Sequence, residues 1–145
     1  MSRYISPEIR QRVAERADFL CEYCLIAEED TFYGCEVEHI ISLKHGGSSE
    51  LENLAYACAF CNRHKGSDIG SISASGELSR FFNPRTDRWA DHFRLNVIII
   101  KSLIIIGEVT ARVLQFNHPD QLLERRTLSV VGRYPNRAAS VRIGD

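Results

Sequence analysis

Cys58-Ala59-Phe60-Cys61-Asn62-Arg63-His64-Lys65-Gly66 is the stretch on which the reading of this chain turns. It sets a Cys-x-x-Cys pair at the head of a short helix, Ala59 to Lys65, that stops at Gly66, the usual residue past a helix end. A second pair lies upstream in Cys21-Glu22-Tyr23-Cys24. Two such pairs supply four thiolates in a tetrahedron, the closed shell of a structural zinc, with no vacancy for water and therefore no chemistry of its own. Thirty-three residues separate Cys24 from Cys58, more than a compact zinc ribbon has, so the zinc clamps both ends of an insert. The rival for these cysteines is a redox dithiol, but that motif expects one pair beside a βαβ pattern. In a reducing compartment the pattern favours a metal over disulfides. Cys35, the fifth and odd cysteine, reads as a small buried hydrophobe.

The insert has its own pattern. Cys35 to Leu43 is rich in Val and Ile and reads as a strand. Lys44-His45-Gly46-Gly47-Ser48-Ser49 follows as a loop whose paired glycines mark a sharp reversal, and Asn53 to Cys58 reads as the return strand. Strand, loop, strand and helix thus occupy about thirty residues. Upstream, Ser6 can cap a helix, Pro7 suits its first position and Glu8 its positive end. Ile9, Val13, Ala17 and Leu20 then fall on one helical face, delivering Cys21 and Cys24 to the core. Between helix and insert, Glu28 to Asp30 reads as an acidic turn and Thr31-Phe32-Tyr33 as a short strand ended by Gly34.

Downstream, Gly70 to Gly76 reads as a connector and Phe81 to Trp89 as an ordered surface loop. Val97 to Ile106 is apolar but interrupted by Lys101 and Ser102, and falls well short of the roughly 20 residues needed to span a bilayer. It reads as buried strand, with one or two strands in this region. Glu108 to Phe116 fits a helix with Val109, Val113 and Phe116 on one face, and Asp120 to Arg126 a second short one. No period is visible from Thr127 onward. The expected division is a module over 1–70, an accessory extension over 71–126 that packs on it, and a tail over 127–145 with no assignment.

At 145 residues with 44% hydrophobic and 26% charged, the chain can bury one core of useful size. Its net charge of −1 shows no general electrostatic grip on nucleic acid, so such a contact has to come from a local patch. From Asn62 to Arg94 the basic residues exceed the acidic ones only mildly. That stretch fits a DNA-facing edge with Phe81 and Trp89 interleaved about as well as a solvated surface. The start, Met1-Ser2-Arg3-Tyr4-Ile5-Ser6-Pro7, has no apolar run behind a basic head, which predicts no secretory signal and a cytoplasmic protein. His45, His92 and His118 read as ordinary surface residues.

Taken together, Cys21-Glu-Tyr-Cys24, Glu36-Val-Glu-His39-Ile40-Ile41, Gly46-Gly47, Leu51-Glu-Asn53-Leu54 and Cys58-Ala-Phe-Cys61-Asn62-Arg-His-Lys65-Gly66 resemble the cysteine-containing branch of the HNH endonuclease family, in its HNN-like variant. The resemblance covers about residues 13 to 70. A weaker one, over Phe82 to Trp89 and Asp91 to Arg94, is to an extension of small bacterial members. The resemblance implies an α+β fold: a zinc-pinned ββα-metal module, preceded here by a helix and followed by a small strand and helix extension. It implies a metal-dependent endonuclease acting on nucleic acid, most simply double-stranded DNA, and leaving 5′-phosphate and 3′-hydroxyl ends. By the same resemblance His39 is the general base, Asn53 orients it and ties the loop, and Asn62 is a ligand of the catalytic divalent ion. Glu38 stands where the family usually has Asp. The extra methylene displaces its carboxylate, and a regular strand would point Glu38 and His39 to opposite faces.

Elementary chemistry leads the same way. Phosphodiester hydrolysis needs an activated water, a cation for the crowded phosphate oxygens and relief for the leaving 3′ oxygen. An imidazole titrates near neutrality, and carboxylate and amide oxygens suit Mg²⁺ or Mn²⁺. Arg63, His64 and Lys65 are placed to hold substrate phosphates, with His64 an alternative to Asn62 as ligand. The second class of function these residues allow is a zinc-stabilised nucleic-acid-binding module without catalysis.

Overall fold

The computed structural model describes residues 4–144. Met1, Ser2 and Arg3, on which the expectation about the start of the chain partly rests, and Asp145 lie outside the described residues. Ser6 caps α1 (Pro7–Arg16), its hydroxyl accepting from Ile9 N at 3.2 Å, with Pro7 in the first turn. The helix buries Val13 and Ala14 and then stops, because Asp18 and Phe19 both take left-handed backbone. Leu20 is buried as expected, yet it lies beyond the helix in an isolated bridge with Ala27. The chain turns back between them, Cys21 N donating to Ile26 O at 2.8 Å.

β1 (Cys35–His39) and β2 (Leu54–Cys58) pair antiparallel, with Cys35 opposite Cys58 and His39 opposite Leu54. β1 ends four residues earlier than its apolar run suggests, since Ser42 to Gly47 closes a tight 3-10 turn. Thr31 to Tyr33 forms no strand, and the Phe32 and Tyr33 side chains point into solvent. β2 is buried throughout, and α1 and α2 (Ala59–Lys65) both pack on the strand pair. This helix, strand pair, helix arrangement is α+β.

The remainder contradicts the picture of connector and surface loop. β3 (Gly70–Ile72), at the start of the expected connector, pairs with β4 (Leu78–Arg80) just beyond it to form a hairpin. Phe81, Phe82 and Trp89 are buried, so no aromatic edge is offered to DNA there. After α3 (Trp89–His92) come β5 (Phe93–Asn96) and β6 (Ile99–Ser102) as a further hairpin turning at the exposed Val97; of β6, only Ile100 is buried, so the apolar run is not the buried strand expected. α4 (Ile105–Val113) packs on β3, β4 and β6. α5 (Pro119–Val130) runs past the expected end at Arg126, capped by His118, and α6 (Arg137–Ile143) lies on α3 and β5. His92 is buried, not a surface residue.

Among the contacts that fasten this second half to the first, three meet at one turn. Trp89 Nε1 donates to Tyr23 O at 2.8 Å, Tyr134 Oη donates to Cys24 O at 2.8 Å, and the Arg85 guanidinium pairs with the buried Glu22 carboxylate. All three grip the turn between Cys21 and Cys24. Buried apolar residues accordingly form one cluster from Val13 to Ala139. No helix is long and apolar enough to cross a membrane among the described residues.

Candidate active site and zinc centre

The turn after α1 and the junction of β2 with α2 bring Cys21, Cys24, Cys58 and Cys61 together, all buried, with sulfurs within 4.8 Å of one another. Cys24 Sγ lies 3.8 Å from Cys58 Sγ, which suits the edge of a tetrahedron whose corners stand about 2.3 Å from a central zinc. In each pair the second cysteine's N–H points at the first sulfur, Cys24 N to Cys21 Sγ and Cys61 N to Cys58 Sγ, both at 3.5 Å. These hydrogen bonds favour thiolates. Burial opposes ionisation of Cys21, but hydrogen bonds from Cys24, Cys58 and Cys61 hold it well below the usual thiol range. Sharing hydrogen bonds with Cys21 and Cys24 drives Cys58 and Cys61 well above that range. A dication relieves this crowding of charge, so the donor set fits a structural zinc. Cys35 is buried outside the four, its thiol pushed up by burial and by Cys21 and Cys24 beside it.

A cleft of about 710 Å³ opens where the end of β1, the start of α1 and the outer face of α2 meet. His39, Glu38 and Asn62 all line it, together with Arg63, Arg10, Tyr4 and Ser42. His39 is half-buried at the last position of β1, its Nε2 3.0 Å from Ser49 Oγ, so the loop that follows holds the ring. Asn53 touches that loop rather than the imidazole: its Nδ2 donates to Ile41 O at 2.8 Å and Ser48 O at 2.7 Å, and its Oδ1 accepts from Ile41 N at 2.9 Å. One amide thereby braces both sides of the reversal. Gly47 is required at its centre, because a Cβ there would stand 1.7 Å from Ile41 O and 2.8 Å from Asn53 Nδ2.

Glu38 is 4% exposed. Its Oε1 accepts from Tyr23 Oη at 2.6 Å and pairs with Lys65 Nζ at 3.2 Å, while Oε2, equally buried, has no partner among the described residues. Burial pushes its carboxyl up to about 7, against the pull of Lys65 and Tyr23. Tyr23 went unnoticed in the sequence, although a buried phenol between two zinc ligands needs an acceptor somewhere. Asn62 donates Nδ2 to Glu36 Oε2 at 2.9 Å.

The basic triplet separates. Arg63 is exposed and lines the cleft, its guanidinium 5.9 Å over the Phe60 ring. His64 does not line the cleft; its ring lies on Phe60 with centroids 4.1 Å apart, and Nδ1 meets Phe60 O at 2.9 Å. Asn62 thus shares the cleft with Glu38, and His64 does not. Lys65 is 2% exposed and spends its ammonium on Glu38, His39 O and Ile40 O. The expectation that it grips phosphate gives way to an internal role, since a helix this short turns successive side chains to different faces. Arg10, on α1, reaches the cleft instead, and only the folded chain reveals it.

Residues 21–68 match the HNH endonuclease family. The match spans 48 of the 145 residues and takes in both cysteine pairs, His39, Asn53 and Asn62. Over that third of the chain the protein is similar to the HNH endonuclease domain, and the same residues hold the cysteine cluster able to bind zinc. Comparison with curated proteins and with solved structures gave no match. Within the matched residues β1, the turn after it and α2 line the cleft, and the cysteine cluster lies at the opposite end of β1 from His39.

Proposed function

We propose that the chain is a metal-dependent endonuclease that hydrolyses DNA phosphodiester bonds, with His39 as the general base. The observation that carries this reading is the buried, unpartnered Glu38 Oε2 in the same cleft as His39 and Asn62. A carboxylate oxygen left bare in a buried place is costly unless a cation or donor meets it. Glu38 Oε2 and Asn62 Oδ1 are hard donors of the kind Mg²⁺ or Mn²⁺ takes, and such an ion would supply charge for the phosphate oxygens and the leaving 3′ oxygen. The zinc shell is complete with four thiolates and takes no part.

His39 stands at the end of β1 with its ring held by Ser49, so it can take the proton of a water approaching the scissile phosphorus. Asn53 keeps the loop behind the imidazole in place. Arg63 and Arg10 flank the cleft and would position the phosphates on either side of the cut. Lys65 and Tyr23 hold Glu38 in a fixed rotamer, which offsets the longer reach of Glu in place of the usual Asp.

A second reading, a zinc-stabilised nucleic-acid-binding module without catalysis, draws on that same substitution: Glu38 Oε1 is already engaged by Tyr23 and Lys65. The two separate in a supercoiled plasmid assay on zinc-loaded wild type and His39→Ala with added Mg²⁺ or Mn²⁺. The nuclease reading expects nicked or linear product from wild type and a loss of about 10²–10⁴-fold in the variant, with zinc content unchanged. Plasmid retarded in a gel but uncut with any divalent ion would move the binding module ahead.

A further inference from the structure

Glu36 belongs to none of the roles above, yet it holds the side chain nearest to being the second ligand of the proposed ion. β1 sends Glu36 and Glu38, two residues apart, to one face of the strand, and α2 sends Asn62 and Lys65, three apart, to one face of the helix. The two elements interlock through these four: Lys65 pairs with Glu38 at 3.2 Å and Asn62 Nδ2 donates to Glu36 Oε2 at 2.9 Å. The first contact is buried and the second exposed.

An exposed hydrogen bond of this kind contributes little to stability. Its effect is on direction. The two ends of a side-chain amide have nearly the same shape but opposite chemistry, and a carboxylate can only accept. Glu36 therefore selects the NH₂ end, which turns Asn62 Oδ1 the other way. Reversed, the same amide would present two N–H donors to a cation. We infer that Glu36 is a positioning residue that sets the orientation of the Asn62 amide, so that its oxygen faces the cation site of the cleft. The inference rests on the ion site of the proposed nuclease, and it makes hydrogen bonding, not the charge of Glu36, the property that matters.

The test is Mn²⁺ binding to zinc-loaded protein, read by electron paramagnetic resonance of the free ion, for wild type, Glu36→Gln, Glu36→Met and Asn62→Ala. Gln keeps an acceptor without the charge, though its own N–H donors can also meet Asn62 Oδ1 and make it the less selective partner, whereas Met keeps the length without the acceptor. Glu36→Met is expected to weaken Mn²⁺ binding about tenfold, as loss of a partner behind a metal ligand commonly does, and Glu36→Gln to stay within about threefold of wild type on the same scale. In the Asn62→Ala background the Met substitution should have no further effect. Equal losses in Gln and Met would overturn the inference, because charge would then be the operative property. So would wild-type affinity in Glu36→Met, or a wild-type protein that binds no Mn²⁺. The plasmid assay separates the two claims: a wild type that binds Mn²⁺ with the expected variant pattern yet leaves DNA intact refutes the nuclease and supports the amide orientation.

Discussion

Lys65 and Glu38 each carry a charge inside the protein, and each is tolerable there only because of the other. Removing one partner of a buried pair leaves an uncompensated charge, at a cost of about 3–5 kcal/mol. Lys65→Met should lower the melting temperature of the zinc-loaded protein accordingly, and Lys65→Met/Glu38→Leu should recover much of the loss. A lysine that merely touched phosphate from the surface would leave melting unchanged. Ionisation of Glu38 has a second consequence. Burial raises its carboxyl to about 7, so in the metal-free cleft it is protonated below that pH and charged above it, and a cation binds the charged form. Mn²⁺ affinity should fall as pH drops from about 8 to 6, with protons taken up on release of the ion, and Glu38→Gln should flatten that profile; an unchanged slope in the variant would exclude Glu38 as ligand. The sequence put His39, Asn62 and Glu38 forward because their neighbours form a local pattern, and the fold brings all three to one cleft. It misplaced Lys65 and missed Arg10 and Tyr23, because which face of α2 meets β1, and where α1 lies, depend on contacts between distant residues.

The hairpin of β1 and β2 is where local signals and structure agree best. The Val- and Ile-rich run, the paired glycines and the return strand are all present, with β1 shortened only because the reversal needs Ser42 to Gly47. The two glycines are nevertheless not equivalent. Gly46 has φ of +86° with open space around it, whereas Gly47 has no room for a side chain at all. Gly46→Ala should cost about 1–2 kcal/mol of backbone strain and leave cutting measurable. Gly47→Ala must push Ile41 and Asn53 aside, and should abolish plasmid cleavage while the four cysteines still hold zinc; equal behaviour of the two variants would mean the Asn53 brace is dispensable. The β3–β4 hairpin was illegible for the opposite reason: Gly70 to Gly76 carries loop composition, and it pairs only because α4 and Phe81 cover it.

At the scale of the whole molecule, the second half is held partly through backbone carbonyls that no sequence pattern marks and partly through ion pairs. Trp89, Tyr134 and Arg85 converge on the turn between Cys21 and Cys24, and Arg85 also donates to Leu54 O at 3.1 Å, the residue paired with His39. Tyr134→Phe should therefore lower stability by about 1 kcal/mol. A chain ended after residue 70 should take up zinc but show no cooperative melt by circular dichroism, because buried Tyr23, Leu25 and Ile26 would meet water. A sharp transition in that fragment would show that the first half stands alone. The Tyr134 to Cys24 contact also bears on how the protein comes into being. It joins residues 110 apart in the chain, so a ribosome has already released every residue of the cleft long before Tyr134 emerges. The turn that carries Cys21 and Cys24 then waits on the last residues of the chain for its final contact, so the cysteine cluster is complete in sequence well before it is complete in packing.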